Sequence, residues 1–217
     1  PNLMPPISAD DAWGLMIWDE MMCANTLNQL RNDGIYTPPT VEGSLFYPGN
    51  GGGNNWGSPA INPDSQTMYV ITGRTVNHLK LTPREECEKQ GRPNQKGTPY
   101  CSETSLLMSP LGVPCVEPPW ATLDAVDLVA GEILWSVPFG TSRDLAPFPF
   151  WWIEGVPAIG GAMTTSTGVV FGAGAMEHAF RAYSAETGEV LWQTRLPTAA
   201  NSTPMTYQLE EGGRQYV

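Results

Sequence analysis

The sequence has 217 residues, with 11 Lys or Arg against 22 Asp or Glu, so its formal net charge is −11 at pH 7. This charge argues against nucleic acid and anionic membrane surfaces as partners, because both are bound by basic surfaces. Only 15% of the residues are charged, whereas 23 are Gly and 21 are Pro. Such a turn-rich composition predicts an all-β protein with many short strands.

The two ends of the sequence predict that it is part of a larger polypeptide. The first residue is not Met, and Gly213–Val217 reads as the inside of a strand. Pro1–Pro6 lacks the charged and apolar regions of a signal peptide. No apolar run reaches the roughly 18 residues of a transmembrane helix. We therefore expect any targeting signal or membrane anchor to lie outside this sequence.

The first predicted elements are a helix over residues 9–31 and a short strand over 44–47. Apolar side chains recur at helical spacing in the first segment. Asp10 and Asp11 suit its N-terminus, and the Asn-Asp-Gly run that follows suits its end. Pro38 and Pro39 then favour an extended backbone before the strand.

A glycine-rich run, Asn50–Gly57, precedes two strands at residues 60–61 and 68–71. Residues 74–119 are polar, contain Pro and are too long for a plain connection, so they are predicted to be an irregular insertion. Residues 138–157 are predicted to be a loop because of their prolines. The other predicted strands cover 121–128, 133–137, 158–161, 168–171, 179–183, 190–193, 201–207 and 214–217.

One short pattern occurs twice, in Ala125–Trp135 and in Ala182–Trp192, and its tryptophans are 57 residues apart. In each copy a strand ends, a Gly-Glu turn follows, and the next strand carries the Trp. One interpretation is a hairpin with a buried Trp. The favoured one is a β-propeller in which Trp135 and Trp192 each dock on a neighbouring blade.

The blades are assigned from this repeat. Residues 48–137 are predicted to form one blade with the insertion 74–119, and 158–193 a second. Residues 1–47 are assigned to a preceding blade and 201–217 to the start of the next. A propeller needs at least about four blades to close. The remainder of the ring is therefore expected in the same polypeptide or in a second chain.

The four cysteines are expected to form disulfides rather than a metal site. No Cys-x-x-Cys pair occurs, and the only histidines are His78 and His178, so a zinc site is not expected. Cys87 and Cys101 flank a polar loop that a disulfide would close. Cys23 and Cys115 are the remaining pair, either bridged, as in an oxidising compartment, or present as buried thiols.

The glycine-rich run Gly51–Gly57 and the paired Gly-Glu-x-Leu-Trp turns resemble the quinoprotein dehydrogenases. The similarity is greatest to the propeller domains of membrane-bound dehydrogenases of glucose, quinate and polyols, which depend on pyrroloquinoline quinone (PQQ). Further matching runs are Gly34–Pro39, Phe46–Asn50, Ser109–Cys115, Pro118–Trp120, Pro147–Pro149, Arg181–Tyr183, Gly188–Pro197, Thr203–Tyr207 and Arg214–Val217. The resemblance covers nearly the whole chain and is weakest over residues 74–105.

This resemblance implies about three blades from the C-terminal part of an eight-bladed propeller that holds PQQ and Ca²⁺. It also implies oxidation of a sugar, polyol or cyclic hydroxy acid by hydride transfer to the quinone, with electrons passed to ubiquinone. The expected location is the periplasm, at the inner membrane. The main catalytic base and the Ca²⁺ ligands are expected outside this chain.

The resemblance also implies which residues approach the cofactor. Asn50, Asn55 and Trp56 match positions near the quinone, and Gly160 and Gly161 begin an inner strand of the propeller. Amide donors and an aromatic ring suit a planar anionic ligand, and glycines allow close approach. A glycine-rich turn capped by Asn is the alternative interpretation of the first run.

Glu177 and His178 lie where glucose-type relatives carry Asp-Asn at the mouth of the active site, so they are candidate catalytic residues. His178 would bind substrate or move a proton; alternatively, it is a strand-end residue with a backbone partner. Phe148–Trp152 would line a substrate entrance, contact another subunit or cover the core. The alternative function for the whole protein is a propeller scaffold without cofactor; a dehydrogenase split over two chains is a third possibility.

Overall fold

A computed structural model describes residues 1–91 and 96–217 of the chain, and its described part consists mainly of short antiparallel strands. The α-helices are α1 (Ile17–Gln29) and α2 (Arg84–Lys89), and 3-10 turns cover Ala9–Asp11, Ser142–Asp144 and Phe150–Trp152. The strands are β1 (Ser44–Phe46), β2 (Ala60–Asn62), β3 (Thr67–Gly73), β4 (Asn77–Pro83), β5 (Tyr100–Leu106), β6 (Ala121–Asp127), β7 (Glu132–Pro138), β8 (Ala162–Thr164), β9 (Val169–Gly172), β10 (Ala179–Ser184), β11 (Val190–Arg195), β12 (Tyr207–Gln208) and β13 (Gln215–Tyr216).

The chain divides into two compact units. The first, here called the blade unit, comprises residues 1–3, 53–74 and 118–217, and the second, the insertion unit, comprises 4–52 and 75–117. No helix in the described part of the chain combines the length and the apolar character needed to cross a membrane.

The blade unit contains two four-stranded antiparallel sheets, in the orders β2-β3-β6-β7 and β11-β10-β9-β8, and the hairpin β12-β13. An antiparallel sheet of four strands is the unit of a propeller blade. Both sheets contribute to one apolar core, because alternate side chains of each strand point to its inner face. The largest buried members of this core are Tyr69, Ile71, Leu123, Phe139, Val156, Val170 and Tyr183.

The repeated sequence pattern forms the same turn in both sheets. The Asp127 carboxylate accepts hydrogen bonds from the amides of Val129 and Ala130. The Ser184 hydroxyl, at the equivalent position, accepts from the amides two and three residues later. Gly131 and Gly188 close the turns at φ of 68° and 74°, a region that favours glycine. The repeat in the sequence therefore corresponds to a repeat in the structure.

Trp135 packs on the next sheet, as the repeat predicts. Its indole Nε1 donates to the carbonyl of Ala185 at 3.1 Å, and the Tyr69 hydroxyl donates to the same oxygen at 3.3 Å. A Cβ at Gly188 would lie 2.8 Å from the Trp135 ring, so glycine is required by contact as well as by φ. The docking therefore joins the β6–β7 hairpin of one sheet to the β10–β11 turn of the other.

Trp192 occupies the equivalent position in the second sheet but is 50% exposed. Its ring lies edge-on to Phe180 of the neighbouring strand, with the ring centroids 6.2 Å apart. Its docking on a further blade stays a prediction.

The insertion unit is more regular than the sequence predicted. Residues 74–119 include β4, α2 and β5, and β1 pairs with β4, so the three strands form one sheet in the order β1-β4-β5. The prediction of an irregular insertion is wrong in this respect. The long β4–β5 hairpin is rich in polar and charged residues, which hid the apolar–polar alternation typical of a strand. Residues 92–95 of the predicted insertion lie outside the described residues. Residues 1–47 were expected to belong to a preceding blade, but β1 pairs with β4 of the insertion. The division of the chain into blade segments stays a prediction.

The predicted helix over residues 9–31 is shorter in the structure. Ser8 and Asp11 form a capping box that closes a separate 3-10 turn, and α1 begins only at Ile17. The buried carboxylate of Asp19 accepts from the amides of Leu15 and Leu111, at 3.1 and 3.0 Å. It fixes the bend before α1, which the helical spacing of apolar residues did not reveal.

Both expected disulfides are present in the insertion unit. Cys23–Cys115 joins α1 to the end of the insertion, and Cys87–Cys101 joins α2 to β5. The alternative of two buried thiols at Cys23 and Cys115 is therefore wrong. The two cross-links span 92 and 14 residues of sequence, and each restricts the unfolded chain.

Candidate functional site

The topology of the blade unit brings several loop ends together. In the first sheet, β3 ends where β6 begins and β7 ends. In the second, β8 and β10 begin where β9 and β11 end. Gly57, just before β2, contacts Gly160 and Gly161, just before β8. The loops at these strand ends therefore share one edge of the blade unit, which we call the site edge.

Four glycines form the centre of the site edge; we call Gly57, Gly160, Gly161 and Gly174 the glycine junction. A Cβ at Gly161 would lie 1.8 Å from the Gly57 carbonyl oxygen, and one at Gly57 would lie 2.4 Å from the Gly160 oxygen. A Cβ at Gly174 would lie 2.2 Å from the Gly160 Cα. Only glycine fits at these positions, because contacts this short are excluded for larger residues.

The sequence prediction included Gly160 and Gly161 but missed Gly174 and Thr203. The Thr203 hydroxyl donates to the Gly57 carbonyl at 2.6 Å and so fastens the junction to the segment before β12. The only sequence signal for the place of Gly174 in the junction was that it is the second glycine of the Gly172–Gly174 run.

Asn55 and Trp56 form the tip of a loop held at both ends within the blade unit. The Gly73 amide donates to the Gly53 carbonyl before the tip, and Gly57 belongs to the junction after it. The Asn55 side-chain oxygen accepts from the Trp56 amide at 2.7 Å, which is the Asn cap of the alternative interpretation. The Trp56 indole is 71% exposed. An anchored loop with an exposed ring can offer that ring to a planar ligand.

Asn50 belongs to the insertion unit. It is an exposed residue of the turn in which the Gly52 amide donates to the Gly49 carbonyl at 2.8 Å. Its predicted approach to the cofactor stays a prediction.

Glu177 lies at the site edge, but its side chain is 1% exposed and forms an ion pair with Arg181. Its second oxygen accepts from the Thr141 hydroxyl at 2.7 Å, and Arg181 Nε donates to Gln193 at 2.8 Å. Burial lowers the pKa of the Arg181 guanidinium, but the hydrogen bond to Glu177 and the interactions with Tyr183 and the Glu177 charge together outweigh burial, so the pKa is raised. This arrangement favours a structural role for Glu177 over the expected contact with substrate.

His178 is partly exposed beside this ion pair. Its backbone amide donates to Asp144 Oδ2 at 2.8 Å, and its carbonyl accepts from Leu196 at 3.0 Å. The strand-end residue with backbone partners is therefore observed. Arg195 binds Asp144 with both terminal nitrogens, at 2.8 and 2.6 Å, and this hydrogen-bonded guanidinium holds the pKa of Asp144 well below its usual range.

Phe148 and Trp152 are exposed, so these two side chains do not cover the core, which was one of the three interpretations of this run. Phe148 is 75% and Trp152 65% exposed, whereas the buried apolar side chains of the same loop are Phe139, Ile153 and Val156. The Phe148 and Trp151 rings meet edge to face, with the centroids 5.5 Å apart. The loop therefore presents an aromatic surface at the site edge.

Tyr183 is expected to make the stability of the blade unit fall at alkaline pH. Burial raises the pKa of Tyr183 to about 12, although Arg181 opposes this shift. Because the unfolded value is about 10, the stabilisation is complete below about pH 10 and is lost as the pH rises towards 12. The loss is about 2–3 kcal/mol. We expect urea denaturation of the full-length protein to show this loss in the wild type but not in Tyr183→Phe. Equal losses in both proteins would contradict it.

Within residues 1–91 and 96–217, no three His, Cys, Asp or Glu side chains are close enough together to hold a metal ion. The described residues therefore contain no cluster of three such side chains for Ca²⁺.

Comparison with known proteins places these features in a family. The chain is 37% identical to quinoprotein glucose dehydrogenase A of Acinetobacter calcoaceticus, over 100% of the chain and 28% of the relative. It is 36% identical to the quinate/shikimate dehydrogenase (quinone) of Acinetobacter baylyi, over 97% of the chain and 28% of the relative. The chain thus spans less than a third of the length of these curated relatives.

A solved structure supports the fold. The crystal structure of quinohemoprotein alcohol dehydrogenase from Comamonas testosteroni matches with a TM-score of 0.54 and 25% identity, over 80% of this chain and 23% of that one. The family model of the β-propeller domain of PQQ-dependent glucose, ethanol and alcohol dehydrogenases matches residues 1–217. The predicted fold class, part of a PQQ-type β-propeller, is confirmed, and the chain belongs to this family.

Proposed function

We propose that this chain is part of a PQQ-dependent dehydrogenase that oxidises a hydroxyl group of a sugar, polyol or cyclic hydroxy acid. The observation that carries the proposal is the glycine junction, which presents Asn55 and Trp56 on an anchored loop. Relatives named as glucose and quinate/shikimate dehydrogenases support the same chemistry.

The residues of the site edge fit a planar anionic quinone. The exposed Trp56 indole offers an aromatic ring, and the Asn55 side-chain amide offers polar contacts to a ring substituent. The backbone at Gly160 and Gly161 carries no side chain that would keep a flat ligand away. Bound PQQ would supply the redox chemistry by accepting a hydride from the carbon of the substrate hydroxyl.

The residues of this chain would bind and orient rather than abstract the first proton. His178 is partly exposed at the site edge, and we propose that it contacts the substrate. Glu177 would support it through the buried ion pair with Arg181. The main base and the Ca²⁺ ligands are proposed to lie in the part of the protein outside this chain.

We also propose a periplasmic location at the inner membrane, an anchor outside this chain, and ubiquinone as electron acceptor. The two disulfides support an oxidising compartment, where such bonds form and persist. The name of the quinate/shikimate relative includes a quinone, which supports this class of acceptor.

The test is a titration of the purified full-length apoprotein with PQQ and Ca²⁺, followed by absorbance. We expect a bound quinone spectrum that bleaches when a polyol or cyclic hydroxy acid is added. Trp56→Ala should weaken PQQ binding about tenfold, because an aromatic pair contributes about 0.5–1.5 kcal/mol beyond its buried area.

The matched control is Trp18→Ala, which removes a half-exposed tryptophan from α1 of the insertion unit. It should leave PQQ binding unchanged. A full-length protein that binds no quinone would overturn the proposed function and favour the scaffold without cofactor.

A further inference from the structure

We infer that Asp144 is a positioning residue that fixes His178 and the aromatic loop, Thr141–Trp152, for substrate binding at the site edge. This inference rests on the proposed function. Three hydrogen bonds to one carboxylate carry it, two from Arg195 and one from the backbone amide of His178.

The first step is the fixing of His178. Its amide is held by Asp144, and its carbonyl accepts from Leu196, the residue after Arg195. Asp144 also binds Arg195 itself, so one carboxylate joins the start of β10 to the end of β11 and to the aromatic loop. The orientation of His178 therefore depends on an acidic residue 34 positions earlier in the chain.

The second step is the fixing of the aromatic loop. Thr141 donates to Glu177, so a second side-chain hydrogen bond links the loop to the residue before His178. Within the loop, the Ser142 hydroxyl donates to the Phe150 carbonyl at 2.5 Å and Trp151 Nε1 donates to the Ala146 carbonyl at 2.8 Å. The loop is thus braced internally and attached to the second sheet through Asp144 and Thr141.

The third step is the chemistry that this attachment serves. Phe148 and Trp152 are largely exposed at the same edge as His178, and the Arg143 guanidinium lies 5.9 Å from the Trp151 ring centre. Apolar ring surfaces beside a few fixed polar groups are typical of small-molecule sites. The substrate class that fits is a cyclic polyhydroxy compound, whose C–H face would pack on the rings while a hydroxyl group meets His178.

The test compares Asp144→Ala and Asp144→Asn in the PQQ-loaded full-length protein. We expect Asp144→Ala to raise KM for a cyclic polyol at least tenfold while kcat changes less than threefold, because these contacts hold the body of the substrate rather than the reacting atoms. The isosteric Asp144→Asn keeps an oxygen for the His178 amide, so its KM should lie between the values of the wild type and of Asp144→Ala. Hydrogen exchange should show lost protection of the His178 amide in Asp144→Ala.

Asp33→Ala is the matched control, because Asp33 forms an exposed pair with Arg31 at 2.6 Å in the insertion unit. It should leave KM unchanged. An unchanged KM in Asp144→Ala, or a loss of kcat in step with a loss of stability, would overturn the positioning role while PQQ still binds. Failure of the wild type to bind PQQ would instead overturn the proposed function, and this inference with it.

Discussion

Replacement of Trp135 by Ala is expected to lower the free energy of unfolding by about 3–5 kcal/mol. The indole packs between Tyr69 and the turn that contains Gly188, and it donates to Ala185 of the neighbouring sheet. Truncation leaves a cavity between the sheets that the rigid glycine turn cannot fill. Urea denaturation of the full-length protein measures the effect.

Two variants separate the contributions of packing and hydrogen bonding. Trp135→Phe keeps an aromatic ring, and Tyr69 still donates to the Ala185 carbonyl, so about 1 kcal/mol is expected for the lost N–H bond. Trp152→Ala removes an exposed ring and should change stability by less than about 0.5 kcal/mol. A Trp135→Ala protein as stable as Trp152→Ala would contradict the docking role.

Gly161→Ala is expected to weaken PQQ binding about a hundredfold, the second large effect. The new methyl group would overlap the Gly57 carbonyl oxygen, 1.8 Å away, and the Thr203 hydroxyl, 2.6 Å away. The Gly57 carbonyl belongs to the backbone that supports the Asn55–Trp56 tip, and the Thr203 side chain holds that carbonyl by a hydrogen bond, so the tip must move. The loss of an aromatic contact and of a hydrogen bond to an anionic ligand together amounts to about 3 kcal/mol, which corresponds to about a hundredfold in Kd. The quinone titration described above measures it.

The control for this substitution is Gly51→Ala. Gly51 belongs to the same glycine-rich run as Gly57, but a Cβ there would have no neighbour within 4 Å. Its PQQ affinity should stay within about threefold of the wild type. Equal weakening by both substitutions would show that the glycine junction is not what positions the tip.

Most strands of the blade unit were predictable because their signals are local, but the strands predicted at 158–161 and 201–207 are misplaced, since β8 covers Ala162–Thr164 and β12 covers Tyr207–Gln208. Strand alternation, the Gly-Glu turns and the two tryptophans all lie within short stretches of sequence, and the same hydrogen bonds form in both copies. The insertion was not predictable in this way. Its hairpin is polar, and it pairs with β1, a strand more than 30 residues earlier, so no local pattern marks the sheet.

The candidate site shows the same difference between what a local sequence pattern indicates and what only the structure shows. The sequence indicated Asn55, Trp56, Gly160 and Gly161, since their residue types and resemblance mark a cofactor-binding run. It gave no sign of the Glu177–Arg181 pairing or of the Asp144–Arg195 contact. Glu177 and Arg181 lie four residues apart in the sequence, yet only the structure shows that they form a buried ion pair.

The sequence by itself therefore determined the repeat, most of the blade strands, the family resemblance and the candidate cysteine pairs, because each depends on residue type and spacing. Only the tertiary structure decided which side chains are exposed to a ligand and which are buried in contacts within the protein. Glu177 and Trp56 illustrate the difference, at 1% and 71% exposure. The physical reason is that hydrogen bonding and burial depend on residues distant in the chain, as when Thr203 meets Gly57.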